Sequence, residues 1–164
     1  MMLQASNNEN LVQGDELSEY ISISLGKTNL LAIRSEIHLI EPVDDRIQIK
    51  PSVLSTGRIQ LDGRIIPVYC FTEDLEIEQT VSMEKPVCIV LKQNKHLVGI
   101  LCSEVTPFSH QIMKIQSLPE CMKLSVRPIV GLCLSKTNDI TEVNYLLSVQ
   151  ALLEYIDEYN SSRA

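Results

Sequence analysis

The residues of this chain that could do chemistry are few and scattered. His38, His96 and His110 stand apart, and no two of them fall at the spacing of metal ligands. Cys70, Cys88, Cys102, Cys121 and Cys133 are odd in number and form no CxxC pair. Most lie inside apolar runs such as "VCIVL" and "VGILC", the setting of reduced, buried thiols in a cytosolic protein. A cysteine nucleophile and its histidine meet in space rather than in sequence, so Cys102 with His110 defines the enzymatic alternative, a small β-barrel hydrolase or oxidoreductase. The carboxylates of "TEDLEIE" (72–78) resemble an acid/base cluster. Carboxylates that tune one another sit in clefts, however, and this run reads as a solvated linker. There is no phosphate-binding loop, dinucleotide fingerprint or nucleophile elbow. These residues give no ground for catalysis, a cofactor or a metal.

The stretch with the most definite geometry is "GRIQLDGRIIPVY" (57–69). Ile59 and Leu61 alternate with Arg58, Gln60 and Asp62, and a β pattern resumes after Gly63. An Asp-Gly step between two such runs predicts a two-residue hairpin, because a type I′ turn needs positive φ at both positions. Pro67 has no N–H to donate, so the second strand should have a free edge or a bulge there. Asp62 and Gly63 either shape the turn only or also present a contact on a rigid corner.

Around this hairpin the elements are mostly strands. "EYISISL" (19–25) alternates strictly, "GKTN" turns, and "LLAI" (30–33) returns. In "RSEIHLIEP" (34–42), Ile33, Ile37 and Ile40 fall at helical spacing, which predicts one or two helical turns ended by Pro42. "DRIQIK" (45–50) is extended. "CFTEDLEI" (70–77) reads as a short helical turn capped by Thr72. A polar linker near 78–85 separates a second set of strands: 86–92, 96–105, 107–115, 127–135 and 141–148. At the end, Val149, Leu152, Leu153 and Ile156 form one stripe of a helix over 149–159, with Ser148 at its cap. Residues 1–17 are polar and without a period, and read as a tail. About nine or ten short strands with few helices point to an all-β protein built as two small barrels.

Bulk properties narrow the function classes. A chain of 164 residues suits one domain or two small subdomains. The net charge of −7 and the scarcity of aromatics disfavour nucleic acid, which needs a basic footprint, and an anionic membrane surface. The first basic residue is Lys27, which argues against a signal peptide, and no apolar run approaches the ~20 residues of a spanning helix. The expected location is the cytoplasm, without membrane insertion.

The order of "EYISISLG", "SEIHLIEP", "GRIQLDGRIIPVY", "VGILCSEV", "IVGLCLS" and "NYLLSVQALL" resembles the CheW-like domain over roughly residues 19–155. The most specific piece is the family's "G-v-i-n-l-R-G-x-i-i-P-v-x-D-l" signature, matched by Gly57, Ile59, Leu61, Gly63, Ile65, Ile66, Pro67 and Val68. The resemblance implies two intertwined five-stranded SH3-like barrels around one core, the first roughly 18–77 with strand exchange and the second roughly 85–148. It implies a non-enzymatic adaptor that couples a chemoreceptor's cytoplasmic tip to a CheA-type histidine kinase, or binds another CheW-like protein. The receptor would enter a groove between the barrels, and the implied protein-binding residues are Glu36, Ile37, Gly57, Asp62, Gly63 and Gly99. Departures from the family pattern are Asp62 in place of Arg, Arg34 in place of an apolar residue, Cys70 (or Tyr69) in place of Asp, and Ser103 in place of an acid. A reversed charge at a contact redirects partner choice, so a pathway that controls pili or second messengers is the alternative setting.

Overall fold

The computed structural model describes residues 20–43, 47–48, 55–78, 85–108, 111–122 and 128–163. The predicted tail over 1–17, most of the 78–85 linker and His110 lie outside them. The alternation of 19–25 becomes β1 (Tyr20–Ser24), which buries Ile21 and Ile23 and pairs antiparallel with β2 (Asn29–Ile33). The turn between them closes through the Leu25 N–H donating to the Thr28 carbonyl (2.8 Å). The chain then crosses to a second sheet built from β3 (Ile37–Pro42), β4 (Ile47–Gln48), β5 (Gly57–Leu61), β6 (Arg64–Phe71), β7 (Ile77–Glu78), β8 (Val87–Gln93) and β9 (His96–Cys102). At Ser103 it crosses back, and β10 (Glu104–Pro107), β11 (Gln111–Ser117), β12 (Ile129–Thr137) and β13 (Ile140–Leu147) join β1 and β2. The helix Val149–Arg163 follows.

The two sheets run β10-β1-β2-β13-β12-β11 and β3-β8-β9-β6-β5-β4, with β7 beside β6. The orders match strand for strand. Each has a hairpin flanked on one side by an edge strand and on the other by a three-stranded meander, joined through one parallel pairing: β2 with β13, and β9 with β6. Each barrel therefore takes its hairpin from one half of the chain and its other strands from the other half. Each curls around its own small core. Ile59, Ile66, Val68, Cys70, Cys88, Val90 and Leu101 fill the β3–β9 barrel, and Leu31, Phe108 and Cys133 lie in its neighbour. A larger shared core joins Ile23, Leu25 and Leu30 from one sheet, Tyr69, Phe71, Ile89 and Ile100 from the other, and Val149, Leu152 and Ile156 from the helix.

Several expectations need correction. The two barrels are present, but their sheets hold six and seven strands: β4 and β7 are two-residue rungs of the seven-stranded sheet, which has five strands without them, and the other sheet reaches six with the four-residue β10. Residues 34–42 form one 3-10 turn (Arg34–Glu36) and then a strand, not helical turns. The isoleucine spacing misled because Leu39 also counts: Ile37, Leu39 and Glu41 are half-buried while His38, Ile40 and Pro42 are exposed, a period of two. As a strand, this segment also satisfies the backbone edge of β8. Residues 70–77 end β6 and then form a tight turn. Its Thr72 does cap, the hydroxyl accepting from the N–H groups of Asp74 and Glu76 (3.2 Å each). The carboxylate run is solvated, with Glu73, Asp74 and Glu76 exposed, but it is a structured turn and not a linker. Leu75 is buried, the Glu73 carboxylate accepts from the Lys27 N–H, and the Glu73 carbonyl accepts from the Thr28 hydroxyl (2.7 Å). The C-terminal stripe is as expected: Val149, Leu152 and Ile156 are buried, and the Ser148 hydroxyl accepts from the Ala151 N–H (3.2 Å).

Candidate binding surface

The Asp-Gly step forms the predicted turn. Asp62 has φ +51° and Gly63 φ +77°, positive at both positions as a type I′ hairpin requires. Both are exposed, and a Cβ on Gly63 would meet nothing within 4 Å. Gly63 is thus needed for backbone conformation and not for close approach. The β5–β6 register, Leu61 opposite Arg64 and Ile59 opposite Ile66, fixes which side chains flank the tip. Ile66 points into the barrel and Ile65 outward, 67 % exposed. Sequence reasoning passed over Ile65, although adjacent apolar residues in one strand cannot both face a core. On the side of β6 away from β5, pairing with β9 begins only at Val68 opposite Gly99. The stretch Arg64–Pro67 is therefore the free edge that Pro67 predicts.

The six expected contact residues divide by environment. Gly57 is buried in β5 opposite Val68. Gly99 is interior: a Cβ there would lie 3.0 Å from Val68 Cγ2 and 3.2 Å from Cys88 Sγ. These two glycines shape the barrel and present nothing to solvent. Glu36 ends the crossover turn, where its carboxylate accepts the N–H of Val149, the first residue of the helix. Burial pushes this carboxyl above the usual carboxylate range, and the Val149 hydrogen bond partly offsets that. Ile37 is half-buried against the shared core. Beside this pair, Ile33 is 39 % exposed. Glu36–Ile37 and Asp62–Gly63 are not brought together. The first pair sits at the start of the helix. The second lies on the hairpin whose Arg64 faces Asp157 and Asn160, more than two turns further along. Eleven residues of helix at 1.5 Å each separate Val149 from Asn160, roughly 16 Å.

Ser103, where the family has an acid, has a structural role. Its N–H and hydroxyl both donate to the Ser24 carbonyl (2.9 and 3.0 Å), which fixes the crossing from β9 to β10. The cysteines divide four to one: Cys70, Cys88, Cys102 and Cys133 are buried, and Cys121, which lies in "PECMK" and not in an apolar run, is exposed. Burial pushes the Cys102 thiol up to about 12. A nucleophile needs the opposite shift and access to solvent. Among the described residues no helix is long and apolar enough to cross a membrane.

Comparison with known proteins agrees with this architecture. Among solved structures, the chain is similar to the scaffolding protein TtCheW from Thermoanaerobacter tengcongensis, at a TM-score of 0.56 and 18 % identity over 80 % of this chain and 88 % of that one. At that identity the likeness speaks for the fold: two barrels and a shared core. No match was found among curated protein sequences. The CheW-like domain model matches residues 19–156, nearly all of both barrels and the first half of the helix, and the chain belongs to the CheW-like domain family.

Proposed function

We propose that this protein is a non-enzymatic cytoplasmic adaptor. It couples a chemoreceptor's cytoplasmic tip to a CheA-type histidine kinase, or to another CheW-like protein, in a chemosensory array. One observation carries the reading: one shared core holds two separate corners at the surface. The crossover with Ile33, Glu36 and Ile37 stands at one end of the helix, and the Asp62–Gly63 tip with Ile65 belongs to the hairpin near the other. Coupling requires two contacts held in fixed relation, and a core shared by both barrels and the helix supplies that rigidity. Acid at Asp62, where the family signature has Arg, favours a partner with a basic surface. A pilus or second-messenger pathway is the alternative setting if that partner is not an ordinary chemoreceptor.

The test is a pull-down of native partners with the parent, Asp62→Asn and Asp62→Arg, after circular dichroism shows the variants folded. Asn suits the same turn, so that variant should stay folded and bind more weakly. Arg should abolish binding or transfer it to an ordinary chemoreceptor. Capture of the same proteins at the same salt dependence by all three would make Asp62 a turn residue only.

A further inference from the structure

We propose that the cleft between the two hairpin tips of the β3–β9 barrel and the last turns of the helix binds a small amphipathic anion that also carries an N–H or O–H donor. The cleft follows from the strand pairing. The parallel ladder of β6 and β9 starts at Val68 and Gly99. Before it the strands diverge, and Pro67 has no N–H with which to continue the pairing. The helix closes the third side. The resulting space is ≈ 330 Å³, at the small end of ligand pockets. Pro67, Leu97, Val98, Leu153 and Ile156 give it apolar walls.

Its polar groups are unevenly placed. Arg64, Lys95 and His96 stand at the hairpin side, and the Arg64 guanidinium donates to the Lys95 carbonyl (2.8 Å), which ties the two tips across the gap. Asp157 stands on the helix side. Tyr69, almost fully buried, lies beside the Asn160 side chain. The Asn160 Oδ1 is buried and has no hydrogen-bond partner. A buried acceptor without a donor is costly and points to a group that completes it. A ligand that satisfies the site therefore carries three things: an anionic head for Arg64 and Lys95, an apolar body for the walls, and a donor for Asn160 Oδ1. This inference is independent of the adaptor reading.

Indole-3-acetate has all three features. Tryptamine replaces the anion by a cation, and 1-naphthylacetate removes the N–H. Each is titrated into the full chain labelled with ¹⁵N and followed by amide chemical shifts. Indole-3-acetate should shift Leu97, Val98, Ile156 and Asn160 saturably, and both analogues should bind at least about tenfold more weakly, the worth of one charged or neutral hydrogen bond. Lys95→Glu, at an exposed turn position, should weaken indole-3-acetate by a similar factor without changing the fold. Four results would each overturn the proposal: no saturable shift at these residues, equal binding of tryptamine, equal binding of 1-naphthylacetate, or Lys95→Glu binding like the parent.

Discussion

Leu152 is where the shared core can be tested with one substitution. It is fully buried, in the same cluster as Ile23, Leu25 and Leu30 of one barrel and Phe71, Ile89 and Leu91 of the other. Leu152→Ala removes three carbons, which at about 0.8 kcal/mol per buried methylene is about 2.4 kcal/mol of lost transfer energy. The walls of the cavity come from two sheets and a capped helix, so they cannot collapse freely, and a cavity cost adds to the transfer cost. The expected total is about 3–4 kcal/mol, inside the usual span for such truncations. In a chain of this size that lowers Tm by roughly 6–16 °C. The assay is urea unfolding followed by far-ultraviolet circular dichroism and by tyrosine fluorescence, which sums five tyrosines spread over both barrels (Tyr20, Tyr69, Tyr145) and the helix (Tyr155, Tyr159), undisturbed because the chain has no tryptophan. Both probes should shift together with an unchanged slope, as one cooperative unit does. A loss below ~0.5 kcal/mol, the range of surface changes, would refute the reasoning. So would two transitions of which only one moves.

Three further outcomes follow from local geometry. Gly63→Val should cost about 1–3 kcal/mol, the penalty of a left-handed non-glycine residue, because its surroundings are open and only the backbone is strained; Gly63→Asn should cost much less in the same thermal melt, and equal losses would mean that φ is not the reason for the glycine. Thiol labelling of the native protein at pH 8 should modify Cys121 and spare Cys70, Cys88, Cys102 and Cys133 until the chain unfolds, since thiols at about 12 (Cys88, Cys102) and about 11 (Cys133) hold almost no thiolate there. Their folded values lie above the ordinary 9.0, so the thiolate favours the unfolded chain and stability should fall as pH rises from 9.0 toward 12. Native labelling of Cys102 as fast as Cys121 would reopen the nucleophile reading.

Local signals carried furthest where one principle acted alone. The Asp62–Gly63 turn, the Ser148 cap and the β1–β2 hairpin each rest on a few adjacent residues, and each is present. Segment 34–42 failed because two periodicities competed. Ile33, Ile37 and Ile40 satisfy a helical period, while Ile37 and Leu39 satisfy a strand, and the unpaired edge of β8, 50 residues away in the chain, decided between them. No window of sequence contains that edge. The same limit explains the carboxylate run: the segment looks like a linker until the β1–β2 turn is placed beside Glu73, which stays exposed but is bonded to that turn. Among the expected contact residues, identity alone did not separate Gly63, which needs a positive φ in open space, from Gly99, which leaves room for Val68 and Cys88. The cleft beside the helix was likewise out of reach, since Pro67, Lys95 and Asn160 meet only after the parallel ladder and the helix are in place.

The exchange of hairpins explains why a binding protein would be built this way. In each sheet a hairpin from one half of the chain is gripped between strands of the other half: β1–β2 between β10 and β13, and β8–β9 between β3 and β6. Withdrawing either hairpin would leave two strand edges unpaired and open the shared core, which costs far more than a domain interface that can slide. The two crossovers that make the exchange, at Arg34–Glu36 and at Ser103, are pinned by hydrogen bonds to the helix start and to β1. Glu36 is therefore both part of the expected contact surface and a clasp on the helix whose far end lines the cleft near the Asp62 hairpin. A partner that engaged Glu36 would act on a side chain set against the start of that helix. The helix runs from the Glu36 crossover to the cleft beside the Asp62 hairpin, so the two corners are joined by a packed helix rather than by a loop.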